Sequence, residues 1–434
     1  MGKRVLVFLL IASAFTSGIR FDIPIGSGSV NINLAQLFAI FLSVYLVSLA
    51  ALKRKPVPLF YKDWPSLFIY GYLVSNIFSS IVFSVDPLKA LKSCLVIAVY
   101  INIYHVGRWL IEEARVETKA TTYLEKNNIL SALVGFCGMV ASILFGEWEN
   151  MAVSLGHVGD GVPSIRSLSF EPNVFAITTS VVLCISIAIY MLKAKGSAGK
   201  LPILLFLGLC VLFAYTRSAY ISLTFAILVM LQLTGRVNWK ILVNIVVFIL
   251  LLLVANQFLP DNNFIKQAIL SKTENLVNFS EGNGLGRVTT FLVGWAGFIV
   301  HPLFGNGTMM ADTASLNIFT GELEDVMGTP GWLSGSLIQS LHDTGIIGAL
   351  IIMGIFVSLC LINLKHFRRE DNIDRKAIFL GFFAANIIIA ITSQITSVLW
   401  IGFPFVFWAI NMAYVAAINK EKKLTGNSPN QFSL

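Results

Sequence analysis

Two apolar runs joined through a single arginine, Leu205-Phe-Leu-Gly-Leu-Cys-Val-Leu-Phe-Ala-Tyr-Thr-Arg217-Ser-Ala-Tyr-Ile-Ser-Leu-Thr-Phe-Ala-Ile-Leu-Val-Met-Leu231, indicate the class of the protein. A helix needs roughly 20 mostly apolar residues to cross the hydrocarbon core of a bilayer. The whole 434-residue chain has this character, with 56% hydrophobic residues, 12% charged residues and a mean hydropathy of +0.78. Soluble domains carry about 25% charged residues. We therefore predict an all-α, polytopic membrane protein.

Polar segments divide the chain into twelve predicted spanning helices. The largest polar interval, residues 259–335, is predicted to be an extracytoplasmic loop within a single membrane domain, 1–434. Residues 419–434 are predicted to form a flexible cytoplasmic tail, because they are short and polar. The predicted spans lie near residues 5–19, 33–52, 64–84, 89–111, 128–146, 172–192, 201–216, 218–235, 241–258, 336–363, 377–394 and 397–418.

The charge distribution predicts the orientation of this helix bundle. Roughly three quarters of the 31 Lys and Arg residues fall on the N-terminal side of the predicted spans, and most of the 23 acidic residues fall on the other side. By the positive-inside rule both termini are cytoplasmic. The net charge of +8 is explained by this orientation, and the basic residues form no stripe that would indicate nucleic-acid binding.

Arg217 is the most informative polar residue of the predicted outer side. An arginine at or near membrane depth is costly, so it normally faces a polar cavity or a partner. Guanidinium binds phosphate oxygens through two parallel hydrogen bonds and stays protonated, which makes Arg217 a candidate phosphate ligand. An arginine that snorkels from an interfacial turn is an equally compatible interpretation.

A second outer arginine, Arg166, shortly precedes a predicted helix start at Glu171-Pro172-Asn173. Proline suits the first helical turn, and Glu171 or Asn173 can cap its exposed amides. A helix N-terminus beside an arginine can bind an anion. A carboxylate at a helix start is also favourable without any catalytic role, so both interpretations of Glu171 stay open.

Arg287 lies in the large outer loop, directly before the uncharged segment 288–300. This segment is too short to span a bilayer. Its large apolar residues recur at helical spacing, with Gly294 and Gly297 on the opposite face. We predict an interfacial or re-entrant helix that begins at Arg287, which would then lie at the level of the lipid headgroups.

Two of the five histidines, His301 and His342, lie outside and near predicted membrane entry. His342, about two turns inside a helix that starts near Ser336, is a candidate general base, because histidine titrates close to neutral pH. A hydrogen-bonded packing role is the alternative. Asp343 follows it and points about 100° away on a helix, so it need not orient the imidazole.

Motifs of nucleotide-dependent and metal-dependent enzymes are absent from the sequence. There is no Walker A motif, no GxSxG, no HExxH and no DxD, so neither a cofactor nor a metal is predicted. A small-anion transporter is the alternative from another class. Transporters usually contain paired broken helices in repeated halves, whereas the only predicted break here is at Arg217.

Four groups of residues follow one another along the chain: Arg166-Ser-Leu-Ser-Phe-Glu-Pro-Asn173, Thr216-Arg217-Ser-Ala219, Gly286-Arg287 ahead of Trp295 and Pro302-Leu-Phe-Gly-Asn-Gly307, and His342-Asp-Thr-Gly-Ile-Ile-Gly348. In sequence and in order they resemble motifs of the O-antigen ligase and polymerase superfamily of bacterial envelope enzymes. The segment Ile23-Pro-Ile-Gly-Ser-Gly28, which precedes a predicted membrane helix, fits the same resemblance.

The resemblance implies a metal-independent, inverting glycosyltransferase on the outer face of the bacterial inner membrane. The donor would be an oligosaccharide on undecaprenyl pyrophosphate, and the acceptor a glycan hydroxyl. Arg217 and Arg287 would neutralise the leaving pyrophosphate, and His342 would orient or deprotonate the acceptor. The residues that would line the substrate path are Arg166, Glu171, Asn173, His301 and Asp343.

Asp343 favours a polymerase of repeat units within this superfamily, because its ligases often carry Asn after the histidine. A ligase that transfers finished chains to a lipid A core, or a protein O-oligosaccharyltransferase, is the alternative. For a polymerase, a chain-length regulator and a flippase are the expected partners.

Overall fold

The computed structural model describes residues 2–25, 28–53, 58, 60–145, 156–159, 162–169, 171–235, 282–311, 333, 335–396 and 398–424. Within these ranges the chain forms helices α1 (Gly2–Ala14), α2 (Leu34–Lys53), α3 (Trp64–Val82), α4 (Pro87–Ala114), α5 (Glu117–Phe145), α6 (Pro172–Met191), α7 (Lys200–Phe213), α8 (Arg217–Leu233), α9 (Gly282–Val300), α10 (Ser336–Arg369), α11 (Ile373–Ser393) and α12 (Phe403–Leu424). Strand β1 (Arg20–Ile25) pairs antiparallel with β2 (Gly28–Asn33), and β3 (Gly156–Gly159) with β4 (Val162–Ile165).

Among the described residues, six helices, α3, α4, α5, α6, α10 and α11, are long and apolar enough to cross a membrane. They coincide with six of the twelve predicted spans, so the chain is confirmed as a mainly α-helical protein with the helices of a membrane protein. Helices α1, α7 and α8 are shorter than predicted, at 13, 14 and 17 residues. The predicted span 241–258 and most of the predicted loop 259–335 lie outside the described residues.

Several helix boundaries differ from the predictions, and two of these differences change a predicted feature. Helix α9 begins at Gly282, so Arg287 lies inside the helix and not at its start. Helix α12 continues to Leu424, into the segment predicted to be a flexible tail. The apolar pattern marks where a helix is buried, whereas flanking polar residues can extend the same helix without changing that pattern.

Helices α6, α11 and α12 contribute many of the buried residues of the core, which also includes residues of α1, α2, α4 and α10. A Cβ at Gly381 of α11 would lie 2.8 Å from Ile185 Cα, so α6 and α11 approach closely. Trp408 of α12 donates its Nε1–H to Asn386 Oδ1 of α11 at 3.1 Å. Small residues and interhelical hydrogen bonds hold helices together where lipid is as apolar as the side chains.

Ion pairs join the helices at one end of the bundle, which we call the charged end. This end contains the N-termini of α1, α3 and α11 and the C-termini of α4, α10 and α12. That the charged end lies on the cytoplasmic side of the membrane stays a prediction. The pairs are Lys3–Glu113, Asp63–Arg108, Lys200–Glu125, Arg375–Glu421 and Lys422–Glu370.

The opposite end, which we call the site end, contains the N-termini of α6, α8 and α10. Asp374 of α11 accepts the Lys195 N–H just after α6 at 2.6 Å, which makes these two helices antiparallel. At the site end, Ser336 Oγ of α10 donates to the carbonyl of Ser393, the last residue of α11, at 3.0 Å.

Candidate functional site

Helix α10 is interrupted at Gly345, which has φ 66° and ψ −160°. The prediction that the only break lies at Arg217 was therefore wrong, because a glycine can leave the helical conformation without any polar interruption of the apolar pattern. Such a break frees backbone groups that must be satisfied inside the protein at membrane depth. The loop 301–309, after α9, supplies the partners. The bonds are Asn306 N–H to His342 O at 2.9 Å, Gly307 N–H to Asp343 O at 3.0 Å and Ile346 N–H to Pro302 O at 2.9 Å.

Glycines allow this loop to reach the helix backbone. A Cβ at Gly345 would overlap the Leu303 carbonyl and lie 2.6 Å from Phe304 N. In the loop, Gly307 has φ 95°, and a Cβ there would lie 2.6 Å from Ser84 Cβ. Positive φ and close backbone approach both favour glycine, so the glycines of the two motifs serve one junction.

Helix α3 forms the other wall of this junction with buried polar side chains. Ser79 Oγ donates to Asp343 O at 2.5 Å and accepts the Gly307 N–H at 3.1 Å. Thr308 Oγ1 donates to Asn76 Oδ1 at 2.9 Å. Because these buried groups satisfy one another, the loop is fixed between α3 and α10.

His342 and Asp343 form a buried pair directly before the break. His342 has no exposed surface, and its Nδ1 lies 2.8 Å from Asp343 Oδ1. Helix geometry did not require Asp343 to orient His342, but in the structure the carboxylate does contact the imidazole. Asp343 lies in the last turn before Gly345, where Gln339 Nε2 and Met309 N–H donate to its Oδ2 at 2.7 and 3.0 Å. These two donors turn the other oxygen toward the imidazole.

His342 Nε2 is buried and has no hydrogen-bond partner among the described residues. Because Nδ1 faces a carboxylate, the neutral ring carries its proton on Nδ1, and Nε2 keeps a lone pair. Gly297 of α9 and Asn306 cover this side of the ring. Nε2 is therefore an unsatisfied proton acceptor whose imidazolium Asp343 would stabilise, and a substrate hydroxyl would reach it only if α9 moved aside.

The other predicted histidine, His301, has a different environment. Its ring packs against Phe83, with ring centroids 5.9 Å apart. Its carbonyl accepts the Gly305 N–H at 2.9 Å. These contacts shape the loop after α9, and the predicted substrate contact of His301 stays a prediction.

A second polar cluster forms where the N-termini of α6 and α8 meet. Thr216, the N-cap of α8, donates to Asn173 Oδ1 of α6 at 3.1 Å. Arg217 is the first residue of α8 and is half-buried. Glu171 occupies the N-cap of α6, but its side chain makes no capping hydrogen bond, contrary to one of the predicted caps.

Arg166 lies near the start of α6, within electrostatic reach of Glu171. Its Nε donates to Ser169 O at 2.9 Å, and its side chain is half-buried. Burial lowers the pKa of Arg166, and the nearby Glu171 carboxylate opposes this shift. Within the described part of this region, the starts of α6 and α8 and the charges of Arg166 and Arg217 favour an anion, and Glu171 opposes it.

The structure thus places the predicted residues in two groups at the site end. Helix α11 packs against α10, α6 and α8, which carry both groups. The predicted role of Arg287 rests on a side chain that lies outside the described part of the structure. Sequence reasoning missed Gln339, although a polar residue four positions before Asp343 on a membrane helix is a usable signal.

No protein-family model matches this chain, and no curated protein sequence matches it significantly. In the ranges that the structure describes, no group of three or more His, Cys, Asp or Glu residues could hold a metal ion. Fold and site together define a helical membrane protein with a buried His–Asp pair at a helix break.

Proposed function

We propose that this protein is a membrane glycosyltransferase that polymerises lipid-linked repeat units. It would transfer a glycan from undecaprenyl pyrophosphate to a sugar hydroxyl. The observation that carries the proposal is the placement of the His342–Asp343 pair at the same end of the bundle as the Arg166 and Arg217 cluster. A base and an anion site are the two groups that this reaction needs, and the motif resemblance indicates the substrate class.

The proposed reaction is a single displacement. The acceptor oxygen attacks the anomeric carbon of the donor, and the bond from that carbon to the pyrophosphate oxygen breaks. The electron pair of this bond leaves with undecaprenyl pyrophosphate, and the hydroxyl proton passes to His342 Nε2. Asp343 accepts the Nδ1–H bond throughout and stabilises the imidazolium as it forms. The configuration at the anomeric carbon is inverted.

The arginine cluster serves the leaving group in this proposal. Negative charge grows on the pyrophosphate as the bond breaks, and fixed positive groups lower the energy of that transition state. Arg217 can bind phosphate oxygens with two parallel hydrogen bonds. Arg166 and the amides at the starts of α6 and α8 add positive potential. Arg287 has the same role by resemblance.

The proposed location follows from charge. If the charged end is cytoplasmic, as the positive-inside rule predicts, the site end faces the outside of the bacterial inner membrane. Lipid-linked repeat units delivered by a flippase would reach it there, and a chain-length regulator would act on the product.

The test uses a deletion strain that expresses single variants. We expect Arg217→Ala and His342→Ala to leave single repeats on the lipid and no long chains. Arg375→Ala and His366→Gln, at the charged end, are matched controls that should keep the normal ladder of chain lengths. Normal ladders with both site variants would contradict the proposal.

The deletion strain also separates the polymerase from the ligase. A polymerase deletion accumulates single repeats on undecaprenyl pyrophosphate. A ligase deletion leaves long chains attached to that lipid, which would exclude polymerisation as the function of this protein.

A further inference from the structure

Gln339 is a buried residue of α10 that the proposed chemistry does not use. It has 2% exposure and lies four residues before Asp343, so the two side chains share one helix face. Its Nε2 donates to Asp343 Oδ2 at 2.7 Å, and its Oε1 accepts the N–H of Leu333. Gln339 therefore joins the backbone just before α10 to the carboxylate that faces His342.

The two partners allow this amide only one orientation. A backbone N–H can only donate, and an ionised carboxylate can only accept, so the amide oxygen faces Leu333 and the amide nitrogen faces Asp343. Rotation by 180° would place two donors together and two acceptors together. Gln339 thus loses both contacts at once when it turns.

The hydrogen bond from Gln339 determines how Asp343 meets the imidazole. Gln339 and the Met309 N–H both bind Oδ2, which leaves Oδ1 for His342 Nδ1. An unbroken series of hydrogen bonds therefore runs from Leu333 through Gln339 and Asp343 to His342. Removal of the glutamine amide would leave Asp343 Oδ2 with a single donor, the Met309 N–H, and would allow the carboxylate to rotate.

The Leu333 side chain connects this series to α9. Leu333 has 1% exposure and belongs to a small apolar cluster with Val293 of α9 and Ile338 of α10. The same helix α9 covers His342 through Gly297. A shift of α9 would therefore displace Leu333 and, with it, the partner of the Gln339 oxygen.

We infer that Gln339 is a positioning residue that couples the backbone at Leu333 to the proton-accepting state of His342. With Leu333 in place, Gln339 holds Asp343 so that His342 keeps its proton on Nδ1 and offers Nε2. Displacement of Leu333 releases the amide and lets the imidazole change tautomer. The catalytic consequence rests on the proposed function, whereas the hydrogen-bond series does not.

The first test is independent of any reaction. Full-length protein with ¹⁵N-labelled histidine is placed in lipid nanodiscs, and nitrogen NMR measures the protonation of each ring nitrogen. The His342 signals are identified by their loss in His342→Gln. We expect wild-type His342 to carry its proton on Nδ1, and Gln339→Leu to lower that population in favour of the other tautomer.

Two further variants make this test decisive. Gln339→Met keeps the length of the side chain but removes the donor to Asp343, and should produce the same change if Gln339→Leu does not fold. Ser340→Ala alters the next buried residue of α10, which bonds Thr344 and not the pair, and should leave the tautomer unchanged. An unaltered Nδ1–H population in the folded Gln339 variants would overturn the inference.

The second test measures glycan transfer. Gln339→Leu should lower kcat roughly ten- to hundredfold, the loss of a hydrogen bond to a charged group, with little change in KM. In an Asp343→Asn background the same substitution should cost less than about twofold, because Gln339 acts through Asp343. If Gln339→Leu lowered kcat equally in the wild-type and the Asp343→Asn backgrounds, the role of Gln339 would be merely structural. Absence of transfer by the wild-type protein would contradict the proposed function, and the NMR comparison would still decide the role of Gln339.

Discussion

Gly297 of α9 lies directly over the imidazole of His342 on α10. A Cβ at position 297 would overlap His342 Cδ2 and lie 2.8 Å from Nε2. The nitrogen that the proposed reaction uses as a base is therefore covered by a residue without a side chain. This relationship links the helix predicted at the membrane surface to the predicted base.

Gly297→Ala should reduce chain synthesis. The added methyl group must displace either the imidazole or α9, at a cost of about 1–3 kcal/mol for an overpacked site. Thermal unfolding of the purified protein and the chain-length ladder in a deletion strain measure the two effects. Gly208→Ala is the control, because a Cβ at Gly208 of α7 has no atom within 4 Å. Equal unfolding temperatures and equal chain-length ladders for Gly297→Ala and Gly208→Ala would contradict the close packing over His342.

Asp343→Asn should slow glycan transfer while the protein remains folded. The amide keeps the shape of the carboxylate but cannot stabilise an imidazolium, and loss of general-base catalysis costs about 10²- to 10⁴-fold. The measurement is transfer in vitro from a lipid-linked repeat unit. Because His342 and Asp343 act as a unit, His342→Gln combined with Asp343→Asn should be no slower than His342→Gln alone. Multiplied losses would indicate separate roles.

Asn306→Ala should destabilise the contact between α9 and α10. Asn306 Nδ2 donates to Gly297 O at 2.8 Å and to His342 O at 3.1 Å. Its removal deprives two buried carbonyls of a donor, for a loss of about 1–2 kcal/mol. The midpoint of thermal unfolding in detergent tests this.

The matched control for Asn306 is another buried asparagine. Asn127 Nδ2 donates to Tyr123 O within its own helix, α5, at 2.9 Å. Asn127→Ala should lower the unfolding temperature less, because it removes no bond between helices. A larger fall in the unfolding temperature for Asn127→Ala than for Asn306→Ala would argue against the role of Asn306 in holding α9 to α10.

Asp63→Ala should weaken the charged end. Asp63 Oδ2 lies 2.6 Å from Arg108 Nη1, and its Oδ1 caps α3 by accepting the Ser66 N–H at 3.2 Å. Arg108 has a side-chain exposure of 6%, so a buried charge loses one of its two carboxylate partners and keeps Glu112 at 2.9 Å. We expect a loss of about 3 kcal/mol, measured by thermal or denaturant unfolding. Glu421→Ala, which removes a pair with 52% exposure on the glutamate, should cost less than about 1 kcal/mol. Similar losses would refute the burial argument.

The sequence by itself determined the class of fold and several of the residues at the site end. Hydropathy is a local property, because an apolar run of sufficient length must satisfy its own backbone as a helix in lipid. The start of α6 at Pro172, the start of α8 at Arg217 and the start of α10 at Ser336 follow from local signals that the structure confirms. The charge asymmetry also pointed to two different ends of the bundle.

Only the tertiary structure decided what His342 contacts. The backbone groups freed at Gly345 need partners, but hydropathy does not specify which distant loop supplies them. The loop 301–309 fills this role, and its Met309 N–H, together with Gln339, turns Asp343 toward His342. A helical wheel drawn from sequence spaces adjacent residues about 100° apart and leaves out the distant loop that turns one side chain toward the other.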